Sequence, residues 1–197
     1  MIWPTPVTLS DSAVTLAPLS ADYAGALKTA AADGDMWKLW YTSIPHPDDV
    51  EAEIERRLSL QKTGSMLPFV VLDASGRAVG MTTYMNIDAS NKRVEIGSTW
   101  ICKSAQRGPL NTQAKRLLLA HAFDELGCIA VELRTHFMNH QSRRAIERLG
   151  AKLDGVLRSH MVMKDGSLRD TCVYSIVAHE WPMVRAHLDW QLTKPRD

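Results

Sequence analysis

The chain has 197 residues, 45% of them apolar and 23% charged, and its 23 basic and 22 acidic side chains leave a formal net charge of +1. That length suffices for one domain, 1–197, with a sizeable core, and the balance excludes a disordered chain and the strongly basic surface of a nucleic-acid binder. Three widely spaced cysteines, Cys102, Cys128 and Cys172, signal neither a disulfide framework nor a paired-cysteine metal site. Met1-Ile2-Trp3-Pro4-Thr5-Pro6 lacks the basic-then-apolar pattern of a secretion signal, and no uninterrupted apolar run of about eighteen residues occurs, so a cytoplasmic protein outside the membrane is expected.

Val14 to Leu19 reads as a first strand, followed by Ser20 as N-cap of a helix from about Asp22 to Ala32, which Asp33-Gly34 breaks. A second helix starts after Pro47, with Asp48 and Asp49 suiting the dipole of its first turn, and runs towards Lys62 and Gly64. Pro68–Asp73 and Ala78–Met85 flank Ala74-Ser75-Gly76-Arg77 as an antiparallel hairpin, and Asn91-Lys92 turns the chain into a strand over 93–102. Ala114, Leu117, Leu118, Ala122 and Leu126 form one stripe of a helix over 112–126, capped by Gly127. Ile129 to Thr135 is a strand that the intervening helix allows to run parallel to its predecessor. Asn139 caps a short helix, Ser142 to Leu149, stopped at Gly150. A second hairpin follows, 155–163 and 168–177 around Lys164-Asp165-Gly166-Ser167, and then a final helix over about 181–192.

The most informative junction is the strand ending in Trp100-Ile101-Cys102, the turn Gln106-Arg107-Gly108-Pro109-Leu110-Asn111-Thr112 and the helix that follows. A glycine turn opening a helix aims unpaired N–H groups and the positive end of the helix dipole at one point, where an anionic pyrophosphate fits. A nucleotide-like cofactor is therefore favoured. Pro109 has no N–H to give, so Leu110, Asn111 and Thr112 must complete such a cradle.

Several fragments, in order, resemble the GCN5-related N-acetyltransferases, and within them the RimJ/RimL-like branch. They are Arg93-Val94-Glu95-Ile96-Gly97, the Gln106-Arg107-Gly108 turn, Asn139-His140-Gln141-Ser142 with Ala145 to Ala151, Asp154 to Arg158, and Asp165 to Asp170 leading to Tyr174-Ser175. The resemblance covers nearly the whole chain. It implies an α/β (α+β) fold with a mixed, mostly antiparallel sheet, acetyl-CoA as co-substrate with no metal, and a primary amine as acceptor, either a protein amino terminus or a small molecule. The family's cofactor turn usually reads Gln/Arg-x-x-Gly-x-Gly/Ala, and here a single, shifted glycine remains.

Direct transfer needs a neutral amine, a polarised thioester carbonyl and a proton for the departing thiolate. The resemblance makes Glu95 the water-relayed base; the alternative is a strand-surface acid paired with Arg93 or Lys92. Ser142, in the Asn-x-x-Ser motif with Asn139, would protonate the sulfur, or both residues serve only as helix caps. Tyr174 is the other candidate acid, or a buried strand tyrosine. Backbone groups of Trp100, Ile101, Cys102 and Lys103 would line the pantetheine arm, with Gln106, Arg107, Gly108, Leu110, Asn111, Thr112, Asn139, Ser142 and Arg144 completing the cofactor site. Trp37, Trp40 and Tyr41 are expected to wall the acceptor pocket, or to be core aromatics, the spacing of the tryptophans fitting one helical face. Tyr84 and Asn86 on the neighbouring strand are further candidates. The basic cluster Arg143, Arg144 and Arg148 either meets phosphates or is a solvated face.

His136 and His140 are four apart but straddle a strand end and a helix start, without the glutamate that a zinc helix requires, and no G-x-S-x-G elbow occurs. The final helix, with Trp181, Val184, Leu188 and Trp190, has apolar surface for a homodimer. The changed turn leaves a second reading open, a protein that binds acyl-CoA as a sensor without transferring it, and a third in which only the fold remains.

Overall fold

The computed structural model describes residues 3–42, 44–163 and 165–194; Met1, Ile2 and Lys164 of the segments read above lie outside them. The strands are β1 (Leu9–Asp11), β2 (Val14–Pro18), β3 (Met66–Asp73), β4 (Ala78–Asp88), β5 (Arg93–Ile101), β6 (Ala130–His136), β7 (Lys152–Val162) and β8 (Leu168–Val177). Five α-helices accompany them among the described residues: α1 (Ala24–Ala32), α2 (Val50–Lys62), α3 (Leu110–Ala120), α4 (His140–Arg148) and α5 (Trp181–Thr193). The expected order of elements holds, and β1 is an addition, too short to leave a periodic signal.

One eight-stranded sheet runs in the order β1-β2-β3-β4-β5-β6-β8-β7. Every neighbouring pair is antiparallel except β5 with β6, which α3 joins as a crossover. Period-two alternation divides the sheet between two helical layers. Arg57 of α2 reaches Thr83 of β4, so that face lies under α2, whereas Tyr84 donates its hydroxyl to Leu118 O of α3 on the other face. Tyr84 is fully buried there, edge-on to Phe69, and is core rather than a wall of an acceptor pocket.

Other local expectations change in informative ways. Ser20 does not cap α1; its hydroxyl donates to Asp22, and a 3-10 turn over Ala21–Tyr23 precedes the helix. The helix expected to reach Leu126 is α-helical only to Ala120 and widens into a π-helical turn over His121–Glu125. The apolar stripe of α5 is consumed internally: Trp181, Val184 and Leu188 are buried, Trp181 stacks on Phe123, and only Trp190 of the four stays exposed. The stripe read as dimer surface is thus core. All three cysteines are buried and free.

Candidate active site

The site is made by two irregularities in β5. Thr83 faces Gly97 and Met81 faces Trp100, so two steps along β4 match three along β5, and the extra residue, Ser98, takes φ 46°. This is a bulge, which bends the strand that carries it. Parallel pairing with β6 runs only through Arg93–Ala130, Val94–Val131 and Glu95–Glu132. Beyond that, β6 stays with β8 as far as His136–Thr171 while β5 stays with β4, so a wedge opens between β5 and β6. Along 97–101 the β6-facing backbone groups of β5 have no strand partner. The bulge is held from below by Arg57, whose Nη2 donates to Ser98 O at 3.1 Å while its Nε pairs with Glu53 at 2.7 Å.

At the closed end of the wedge sits Glu95, 5% exposed. Its Oε2 accepts from Asn86 Nδ2 at 2.7 Å and lies 3.4 Å from Arg134 Nε. Arg93, read as its possible partner, instead pairs with Glu132, as does Arg134. Asn86 reaches Glu95 because β4 has its own bulge there, between Met85–Glu95 and Asp88–Arg93, with Asn86 at φ 46°. Burial raises the Glu95 pKa, against the opposing pull of Asn86 and Arg134. Gly97 leaves the room: a Cβ there would stand 2.9 Å from Glu95 Oε1 and 2.6 Å from Met85 Sδ.

At the open end, α3 begins beside the tip of β5. Among the described residues the N–H groups of Arg107, Gly108, Leu110, Asn111 and Thr112 make no hydrogen bond, and Gln113 N–H is the first to bond back, to Pro109 O at 2.9 Å. A Cβ on Gly108 would meet nothing within 4 Å. This set of donors fits a pyrophosphate. Gln106 turns inward, its Nε2 donating to Ile101 O at 2.9 Å, so it braces the turn against β5. Cys102 is corrected as a main-chain donor to a pantetheine arm, because its N–H is donated to Val79 O at 2.8 Å. Trp100 is buried, with its indole N–H unpartnered among the described residues.

Asn139 caps α4, its Oδ1 accepting from Ser142 N–H at 3.0 Å. The Ser142 hydroxyl makes no hydrogen bond among the described residues, so capping by Asn139 leaves it free. Tyr174 is different. Fully buried, it donates to Glu147 Oε1 at 2.9 Å and accepts from Arg143 Nε at 3.1 Å, and burial raises its pKa. Arg143 is thereby committed, while Arg144 is exposed. The tryptophans do not share a helical face: Trp37, on a 3-10 turn, stands edge-on to His46 with ring centroids 4.4 Å apart, and Trp40 stands edge-on to Tyr41 and, at 5.1 Å, to His136. His136, Arg134 and Arg169 join this face without having been singled out as site residues. The alternation of Glu132, Arg134 and His136 with Val131 and Leu133 was the available signal.

A family model described as an acetyltransferase (GNAT) domain matches residues 13–152. The chain belongs to this family. It is 33% identical over 106 residues to a putative ribosomal N-acetyltransferase, YdaF, of Bacillus subtilis (strain 168); the match spans 54% of this chain and 57% of that protein, a little over half its length. A GCN5-related N-acetyltransferase from Brucella melitensis superposes with a TM-score of 0.87 at 32% identity, covering 98% of this chain and 89% of that one. RimJ of Mycobacterium smegmatis, solved with CoA-disulfide, shares the fold at 23% identity, with a TM-score of 0.77 over 96% of this chain and 95% of that one.

Proposed function

We propose that this chain is an acetyl-CoA-dependent N-acetyltransferase that acts in the cytoplasm on a primary amine. The observation that supports this most is the pairing of a half-open strand edge with an uncommitted helix N-terminus at one end and a buried carboxylate at the other. The free N–H groups of the Gly108 turn and of Leu110, Asn111 and Thr112 would hold the pyrophosphate of acetyl-CoA, which supplies the activated acetyl group. The unpaired β5 backbone beside the Ser98 bulge would align the pantetheine arm and donate to the thioester carbonyl, an oxyanion-type role without a side chain.

Glu95 would draw the proton from the incoming ammonium through water. Its raised pKa brings it nearer to that of an α-amino group, about 8, than an ordinary carboxylate would be. Ser142, with a free hydroxyl at the first turn of α4, would be the proton donor for the thiolate. Tyr174 is engaged by Glu147 and Arg143, and its hydroxyl proton is already given to a carboxylate. A protein amino terminus is the favoured acceptor class, supported by the description of the B. subtilis relative as a ribosomal N-acetyltransferase.

Calorimetry against acetyl-CoA, together with turnover on amino-terminal peptides, tests this reading. Glu95→Gln is expected to lower kcat by about 100-fold while leaving acetyl-CoA affinity at the wild-type value. Unchanged turnover at neutral pH removes Glu95 from the mechanism, and absence of acetyl-CoA binding overturns the whole assignment.

A further inference from the structure

The polar face of β6 and β8 holds two donors that the transfer chemistry leaves unused. His136, the last residue of β6, is 5% exposed. Its Nδ1 accepts from Met138 N–H at 3.0 Å, which places the ring proton on Nε2 in the neutral form, and among the described residues Nε2 has no partner. Burial first, and the charge of Arg169 second, lower its pKa and favour that neutral form. A buried N–H without an acceptor is costly, so the site calls for an oxygen that the described residues do not supply.

The second donor is Arg169 of β8. Its Nε donates to Thr171 Oγ1 at 3.0 Å, and Thr171 is the strand partner of His136, so the guanidinium folds back along β8 towards the histidine. Its charge acts on both His136 and Glu95. Arg57, Arg93 and Arg134 on this face each hold a carboxylate, whereas Arg169 forms no ion pair among the described residues. The neighbouring Asp170 is committed to Arg158 Nε at 2.6 Å and Ser159 N–H at 2.7 Å. One side of this corner is closed by Trp40, which is 55% exposed.

Position matters as much as charge. Glu95 is level with Glu132; the Ser98 bulge lies about 10 Å further along β5, and His136 about 13 Å further along β6, at roughly 3.3 Å per residue. His136 therefore stands across the wedge from the bulge, beside the place where transfer would occur. We infer that His136 Nε2–H and the free edge of the Arg169 guanidinium bind a carboxylate on the amine acceptor, so that the enzyme selects acidic amines. A planar guanidinium suits a carboxylate, and its unneutralised charge disfavours polyamines.

The inference rests on the acetyl-transfer reading for its geometry, and its test separates the two. Two sources of carboxylate are compared, the α-carboxylate of glycine against glycinamide, and the side chain of an Asp-initiated tetrapeptide against its Asn-initiated counterpart. Wild type is expected to favour the carboxylate member of at least one pair by tenfold or more in kcat/KM. Arg169→Gln should bring that ratio near one through a higher acceptor KM, with the acetyl-CoA KM unmoved, and Arg169→Lys should restore part of it. The same probes are titrated by calorimetry into CoA-loaded protein. Transfer with equal use of both members, or a preference that survives Arg169→Gln, overturns the inference alone. Carboxylate binding that depends on Arg169, with no transfer to any probe, overturns the transfer reading and leaves this one standing. Neither binding nor transfer sinks both.

Discussion

Lys115 offers the sharpest physical test of the packing, because it lies where a charge is least welcome. It projects from α3 into the sheet, 7% exposed, with Nζ donating to Thr99 Oγ1 at 2.7 Å and no carboxylate beside it among the described residues. Burial lowers its pKa from 10.5 to about 7. Between those values the unfolded chain binds a proton that the native chain does not, so stability rises with pH across that interval. The protonation cost, RT ln[(1 + 10^(10.5 − pH))/(1 + 10^(7 − pH))], is about 4 kcal/mol at pH 7 and about 2 kcal/mol at pH 9. Lys115→Met keeps the stem and removes the titration, and Thr82 and Thr99 still bond each other at 2.8 Å. Urea unfolding at pH 7 and pH 9 should show wild type gaining about 2 kcal/mol relative to the variant, about 1 M in midpoint at a slope of about 2 kcal/mol/M. The Cys128 thiol, pushed up to about 11 by burial, is common to both proteins, so its contribution cancels in the comparison. Parallel pH dependences for the two proteins would refute the claim that Lys115 is buried without a counter-charge.

Gly97→Ala should spare acetyl-CoA binding but lower kcat about tenfold or more, because its Cβ would meet Glu95 Oε1 at 2.9 Å and displace the carboxylate; steady-state kinetics beside a calorimetric titration decide it, and wild-type kcat would show that Glu95 has no fixed position. Arg57→Met should cost about 1–3 kcal/mol in denaturant unfolding, since it takes the donors away from Thr83 Oγ1 and Ser98 O while Glu53 keeps its pair with Arg56; a loss under about 0.5 kcal/mol would count against the bulge being braced from α2.

The order of elements was readable because each is signalled locally, by the apolar run of β3, by alternation in β6, by the stripe of α3 and by turn residues between strands. What failed were inferences from one element to another. Tyr84 sits on a strand beside the site, yet alternation alone does not say which helix covers which face, and Tyr84 proves to point at Leu118. The spacing of Trp37 and Trp40 fits one side of a helix only if a helix forms, and the segment makes a single 3-10 turn. The Asn86–Glu95 contact depends on a bulge at Asn86, a residue type that tolerates positive φ, but alternation along β4 does not mark where the register slips.

The wedge follows from how one parallel step is accommodated in an otherwise antiparallel sheet. A crossover helix from β5 must start at the far end of that strand, which places the N-terminus of α3 beside the tip of β5 and its free N–H groups at the sheet edge. Had β5 and β6 paired along their full length, no edge would remain for a ligand to meet. The extra residue at Ser98 shifts β5 after Glu95–Glu132, while β6 is kept straight by seven consecutive pairings with β8 from Ala130 to His136. Strand separation thus begins directly beyond the buried carboxylate and widens towards the helix. The separation leaves an open backbone edge along β5, with the buried Glu95 at its closed end and His136 across the gap.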